Sequence, residues 1–521
     1  MVTATGRTGR RAVSSRGKAM QMTESRRRAT AVWGFGWGAL AGLALVALMY
    51  LANLLLGLRP LPQLLNQPLL SLMPGFVFGF LIDTLQHAGK VVEELGLIVA
   101  MIVGLGVLGS AWALAGLRWH SPYLALGFAA FGWLVVVAVL LPVCGAGLLG
   151  LNDGPTTPLV WAALFAVYSV VLQLGGSPSS RAVDLGRRRL LSATPIAIGA
   201  VSLGLLGFKL LPDWYRAIFN PPEAALRGPS PEITPIENFY VVSKNFSDPA
   251  IAGQGWTLGL GGMVDRPMRF SLTDLRALTA TREYVTMECI SNNVGGELMS
   301  TGSFTGVALR DLVAMASPSP RGTWVAFKAR DGYSESLPIS LIQGAPEILV
   351  AYELDGAPLP MSHGFPARML IPGRYGMKGP KWLDSIDVVN QESGGYWEQQ
   401  GWDRNAIVKT TARIDMPVDG SLVKLGVVSL SGVAFAGTRG ITKVEYSTDG
   451  GSSWSTAPFK TPLSNLTWVL WQADWTPPRE GTYKVMVRAT DAAGAIQDPR
   501  TAPSYPSGAS GYHSIHVDIS R

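Results

Sequence analysis

The sequence predicts an N-terminal α-helical transmembrane bundle, then an α+β domain, then a C-terminal immunoglobulin-like β-sandwich. Three observations carry that order. Before Trp214 the chain is dominated by long apolar runs, several of them reaching the roughly 20 residues that a bilayer core demands. From Asn220 the composition turns to mixed charge with frequent Gly and Pro, and short strand patterns alternate with brief helical ones. From about Ala406 the helical patterns stop, and strand-like runs recur at even spacing between turn residues. With 521 residues, the chain is too long for one hydrophobic core.

The first element is a basic tail, residues 1–30, read as a solvated arm. The transmembrane region follows over 31–214, with spans at about Ala31–Leu58, Leu95–Leu117, Tyr123–Leu149, Leu159–Leu174 and Leu190–Leu211. A shorter stretch from Leu69, "LLSLMPGFVFGFLIDTLQHAGK", is broken by Pro74 and Gly75 and reads as an interfacial amphipathic segment. Charge decides this: with five spans, Arg118 and the Arg181–Arg189 loop join the basic tail on the cytoplasmic side, as the positive-inside rule asks. The C-terminal half then lies outside the cytoplasm. "GRRRLLSATPIAIGAVSLGLLG", from Gly186, either carries a twin-arginine export signal at Arg187 and Arg188 or simply anchors a helix with its arginines. No paired charges sit inside the spans, which argues against a transporter; Asp83, Glu93 and Glu94 read as solvated groups at segment ends.

Residues 215–235 form a linker, with five prolines between Asn220 and Pro235. The α+β domain, 236–404, is read from the strand patterns "WTLGLGGMV", "REYVTMECI", "GTWVAFKARDGY", "EILVAYELDG" and "ARMLIPG", and from a helix capped by Ser271 with Asp274 three residues on. The sandwich, 405–521, is read from "GSLVKLGVVSLSGVAFAG", "ITKVEYSTDGGSSW", "LTWVLWQADW" and "TYKVMVRATDAAG". "STDGGSSW" is taken as a hairpin in which Asp449 and the glycines make the turn and Trp454 packs beneath.

The net charge of +7 is no argument for nucleic acid, because much of the excess lies beside apolar spans. The chain has two cysteines, Cys144 and Cys289, too few for a disulfide framework. No CxxC or Cys/His cluster points to zinc, an iron–sulfur cluster or covalent haem. Cys289 nevertheless stands in a small, polar, glycine-rich stretch, "TMECISNNVGGELMSTGSFTG".

That stretch, with "NFYVVSKNF", "FTGVALRDLV", "DGYSESLPIS", the long block "ILVAYELDGAPLPMSHGFPARMLIPGRYGMKGPKWL" and the closing strands, resembles the sulfite oxidase-like molybdenum enzymes in both content and order. The resemblance runs from about Thr234 to the C-terminus. It implies a molybdenum cofactor held by molybdopterin, with Cys289 as the protein's thiolate ligand to the metal, a soft donor suited to a sulfur-rich site. It places Tyr333 as an active-site phenol. It assigns the pterin to His363, Arg368, Gly379, Pro380 and Lys381, with Tyr240, Ser243, Lys244 and Asn245 on a further, more loosely matched binding segment.

The pattern departs from the family after the cysteine, where sulfite oxidases have "AGN" and basic residues and this chain has "ISNNVGG". Arg374, Lys378 or Lys381 are the cations left to serve a substrate anion. Sulfite or a related small molecule is therefore one expected substrate, and a methionine sulfoxide or other S- or N-oxide, reduced rather than oxidised, is the alternative. A non-catalytic membrane receptor or scaffold is the reading from a different class. With no cytochrome domain in the sequence, the expected partners are a separate electron carrier (a cytochrome or a membrane partner), the bilayer, and a second copy of the chain.

Overall fold

The computed structural model describes residues 8–73, 77, 88–119, 121–151, 154–175, 185–219, 228–245, 248–249 and 251–521. They fall into two units, Met1–Leu72 with His87–Phe219, and Met73–Gln86 with Asn220–Arg521.

The first unit is helical: α1 (Thr8–Leu56), α2 (Leu61–Leu72), α3 (Ala88–Gly116), α4 (Leu124–Val135, continued through a wider turn to Val143), α5 (Thr157–Gly175) and α6 (Leu185–Phe219). Five stretches are long and apolar enough to cross a membrane: Glu24–Leu56, Val91–Gly116, Leu124–Val143, Thr157–Gly175 and Thr194–Pro212. They coincide with the five runs read from the sequence. Of the segment from Leu69, only the end of α2 and isolated positions are described; the rest lies outside the described residues.

Glycine sets how closely α1 and α3 approach. A Cβ on Gly109 would lie 2.5 Å from both the Gly34 carbonyl oxygen and the Gly38 Cα, so small residues are what let these backbones touch. Outward faces carry Val32, Phe131, Leu159, Ile196 and Phe208, all well exposed.

One sequence expectation fails here. Glu94 is not solvated: it is buried, and its carboxylate accepts hydrogen bonds from Tyr50 Oη (2.7 Å), Gln63 Nε2 (3.3 Å) and Trp214 Nε1 (3.0 Å). Its partners come from α1, α2 and α6, which no local reading of α3 would reveal.

In the second unit, β1 (Thr257–Gly262), β2 (Met268–Ser271), β5 (Trp324–Ala329), β6 (Ser334–Pro338) and β10 (Leu383–Val389) form one sheet in the order β2-β1-β10-β5-β6. A second sheet runs β3 (Thr281–Glu288), β4 (Met299–Ala308), β7 (Leu349–Leu354), β8 (Ala357–Pro358), with β9 (Arg368–Leu370) also on β7. Short helices α7 (Leu272–Ala277), α8 (Leu309–Met315) and α9 (Ile339–Gly344) follow β2, β4 and β6. Ser271 caps α7 as read, in a reciprocal pair with Asp274. β4 escaped the sequence reading because its buried positions are mostly Ser, Thr and Gly, which leave too few apolar residues to mark a strand.

The C-terminal strands make two sheets over one core: β11 (Thr411–Met416), β13 (Val428–Phe435) and β16 (Val469–Trp475), against β12 (Ser421–Lys424), β18 (His513–Ser520), β17 (Gly481–Asp491), β14 (Ile441–Ser447) and β15 (Ser455–Ala457). Ile414, Leu430 and Trp471 from the first sheet meet Val444, Val485 and Val517 from the second. Asp449 makes the β14–β15 turn by accepting from Ser453 N (2.9 Å) and from the Ser447 and Ser453 hydroxyls. The end of the expected linker is engaged rather than loose: Ser230 N donates to Asp415 (3.0 Å) and Thr234 N to the Thr301 carbonyl (2.8 Å).

Candidate active site

Strand β3 ends at Glu288, and Cys289 opens the turn that returns as β4. Asn292 holds that turn from within. Its amide donates to Glu288 Oε1 (3.0 Å) and its oxygen accepts from Leu298 N (3.0 Å), while Cys289 N donates to the Leu298 carbonyl (2.9 Å). Cys289 is buried, with Sγ 3.0 Å from the Ser291 hydroxyl.

Cys289 lines a cleft with about 900 Å³ of atom-free space, counting its open mouth. Of the residues singled out in the sequence, Tyr240, Ser243, Lys244, Tyr333, His363, Arg368, Gly379, Pro380 and Lys381 line the same cleft. Asn245 does not; it stands behind, donating to Asp331 Oδ2 (2.9 Å) and accepting from Lys244 Nζ (3.0 Å). Asp331 organises this corner: its carbonyl accepts from Lys244 Nζ (2.8 Å) and its carboxylate from Tyr333 N (3.0 Å).

The basic groups differ in what they face. Arg368 is buried, and its guanidinium donates to the carbonyls of Met369, His363 and Gly379 at 3.3–3.4 Å. No carboxylate pairs with it among the described residues, and burial draws its pKa down to about 10. His363 is held neutral, its pKa pulled to about 3 by burial and then by Arg368 and Lys381. Lys381 Nζ donates to the carbonyls of Ser362 (2.8 Å) and Val242 (3.2 Å) and lies 4.5 Å from the Trp382 ring centre.

Lys378 and Arg374 are corrected. Neither lines the cleft. Lys378 is sealed between Glu335 and Glu398, with the latter 2.5 Å away, and Arg374 donates to the Asn405 carbonyl. Burial, opposed by Lys378, pushes Glu335 up to about 8. Tyr333 donates its hydroxyl to the Met377 carbonyl (2.6 Å). Its pKa stands well above the usual phenol value, first through burial and then through the charges of Glu335, Asp331 and Cys289.

Sequence reasoning missed the aromatic wall. Trp397 and Trp402 both line the cleft, and the Trp402 Nε1 is a buried donor with no partner among the described residues. The crowding of aromatic residues in "GGYWEQQGW" was the available signal. Trp402 also rests edge-on against Tyr505 of the sandwich, ring centres 5.2 Å apart.

A cleft with one buried thiol, a cation lacking a carboxylate and a wall of hydrogen-bonding and apolar groups belongs to an oxidoreductase that carries a large anionic cofactor. The comparisons give the class its name. Residues 245–397 match the oxidoreductase molybdopterin binding domain, and residues 404–515 match the Mo-co oxidoreductase dimerisation domain. The chain is 30% identical to sulfite oxidase of Arabidopsis thaliana over 339 residues, which cover 53% of this chain and 85% of that one. It is 27% identical to mitochondrial sulfite oxidase of Rattus norvegicus over 50% of this chain, spanning 57% of that relative's length. The fold is shared with the sulfane dehydrogenase SoxCD of Paracoccus pantotrophus, at TM-score 0.50 and 21% identity over 57% of this chain and 83% of that one. The chain belongs to the sulfite oxidase-like molybdopterin oxidoreductase family, and it is an enzyme of that kind, with a molybdenum cofactor.

The residues present fit that cofactor. Among the described residues Arg368 has no carboxylate partner, Trp402 Nε1 is a buried donor left unused, and Cys289 is a soft thiol in the same cleft.

Proposed function

We propose that this chain is a membrane-anchored oxidoreductase that moves one oxygen atom to or from a small substrate and exchanges electrons with a separate carrier. The observation that carries the reading is Cys289 Sγ in one cleft with Arg368, His363 and Lys381. In this reading Cys289 holds the molybdenum, while Tyr240, Ser243, Lys244, Asn245, His363, Arg368, Gly379, Pro380 and Lys381 hold the pterin. When bound, the cofactor supplies two-electron redox chemistry coupled to oxygen-atom transfer.

The protein's own part is positional and electrostatic. The Ser291 hydroxyl, 3.0 Å from Sγ, donates to the thiolate and steadies its charge. Tyr333 stays protonated across the working range and, with its proton given to the Met377 carbonyl, is a neutral acceptor at the cleft. Neutral His363 accepts or donates without adding charge. Trp397, Trp402, Met287, Ile290 and Met377 keep the remaining wall apolar and exclude water.

That apolar wall, with Lys378 and Arg374 taken up elsewhere, favours the second reading within the class: reduction of an uncharged S- or N-oxide such as a methionine sulfoxide, in place of sulfite oxidation. A dianion needs cationic surroundings, and in this reading the cations that line the cleft, Lys244, Arg368 and Lys381, are taken up by the pterin. Purified enzyme assayed in both directions, with sulfite and an electron acceptor and with a sulfoxide and a reduced dye, decides between them by kcat/KM.

Five spans put the C-terminus outside the cytoplasm, with Arg187 and Arg188 at the cytoplasmic start of α6, where an export signal would be read. The apolar outer faces of the helices support membrane anchoring, and a protease-protected C-terminal reporter in intact cells would invert the topology. The three- and five-stranded sheets support an immunoglobulin-like sandwich, and the dimerisation-domain match supports a homodimer.

Cys289→Ser tests the whole reading. Turnover is expected to vanish while the fold and most pterin remain, as judged by metal and pterin content beside circular dichroism. Full activity in that variant would remove Cys289 as ligand.

A further inference from the structure

Contacts from the β-sandwich converge on both sides of Cys289. On the N-terminal side, β3 is an edge strand whose one ladder partner among the described residues is β4. Its open edge is covered by the segment 464–468: Thr286 N donates to the Leu466 carbonyl (2.9 Å), Trp468 N to the Thr286 hydroxyl (2.8 Å), and the Ser464 hydroxyl to the Tyr284 carbonyl (2.7 Å).

On the C-terminal side, Arg413 of β11 reaches the Cys289 turn. It is buried and donates through Nη1 to the Gly296 carbonyl (2.7 Å), through Nη2 to the Ser230 hydroxyl (2.8 Å) and through Nε to Asp415 (2.6 Å). The ring of His513, on β18, packs against Gly295 and accepts from Ile414 N at Nδ1 (2.9 Å). A Cβ on Gly295 would come within 2.3 Å of that ring, and its φ of +77° already excludes most side chains.

We propose that the β-sandwich is the second half of the mount for Cys289, with Arg413 and His513 as positioning residues that act through the Gly295–Gly296 turn. The inference rests on the reading of Cys289 as the metal ligand. A thiolate's direction is set by the main chain that carries it, and here both flanks of that main chain are fixed by side chains more than a hundred residues away in sequence. Arg413 satisfies a carbonyl of the turn while its charge is answered by Asp415, so its hold on the loop needs no group from the cleft. Functional geometry is kept only while such support holds it within about 0.5 Å.

The test uses the full-length holoenzyme. Arg413→Met keeps the stem and removes the donors; Arg413→Lys keeps the charge. Metal per chain, the electron paramagnetic resonance signal of the metal, and kcat and KM are read together. Arg413→Met is expected to keep its metal, to show an altered resonance signal, and to lose about 10- to 100-fold in kcat with KM changed far less; Arg413→Lys recovers part of the loss. If Arg413→Met fails to fold, the glycine pair decides. Gly295→Ala, forced against the ring, lowers kcat, and Gly295→Ala with His513→Ala restores part of it.

A folded Arg413→Met with the wild-type signal and kcat overturns the inference, as does a double variant no better than Gly295→Ala alone. A wild-type metal signal that persists unchanged in Cys289→Ser overturns instead the reading on which the inference rests.

Discussion

Arg368 and Lys378 stand ten positions apart in one sequence block, and both are buried, yet they are answered in opposite ways. Lys378 is enclosed by two carboxylates and faces away from the cleft. Arg368 is answered only by main-chain carbonyls and lines the cleft. A cation with two carboxyl groups is part of the scaffold, because removing it leaves their buried oxygens without their donor. A cation with carbonyls alone keeps its formal charge available to a ligand. The difference separates a cation bound into the scaffold from one left available to a ligand, and it lies in the partners, not in the residue type.

Substitutions sharpen that contrast. Lys378→Met should give the largest loss of stability, about 3–5 kcal/mol, read by chemical denaturation; a loss below about 1 kcal/mol would mean the pair is not the strut described here. Arg368→Met should cost less in stability but weaken cofactor retention by roughly 10- to 100-fold, the worth of charged hydrogen bonds to an anion. Unchanged pterin and metal content in that variant would break the comparison. The smallest effect is a pH dependence. Native Glu335 holds its proton up to about 8, whereas an unfolded glutamate releases it near the ordinary value, so its contribution to stability is present at low pH and is lost as pH rises from about 4.5 to 8. Glu335→Gln should therefore gain on the wild type as pH rises through that window, and parallel pH–stability curves would contradict the assignment.

Much of the architecture was legible because it follows from period and length. The apolar runs coincide with the five membrane-length stretches, and the strand patterns read from the sequence coincide with β1, β3, β5, β7 and β9. Cys289, His363 and Arg368 were legible through motif order. What the sequence withheld was partnership. Nothing local says that Glu94 is met by Tyr50, Gln63 and Trp214, that Lys378 is enclosed by two carboxyl groups while Lys381 lines the cleft, or that Trp402 lines it too. Each depends on residues brought together from distant segments, and charge or hydropathy read along the chain carries no trace of that.

The covering of β3 by residues 464–468 has a consequence for how the chain can be handled and how it fails. An edge strand with open N–H and C=O groups is a template for pairing with other chains. β3 carries Tyr284, Val285 and Thr286, residues that favour such pairing. A fragment ending at the α+β domain would expose that edge and aggregate, however well its own core were packed. Here solubility and the sandwich are inseparable, so the smallest handleable piece of the catalytic half runs to the end of β18.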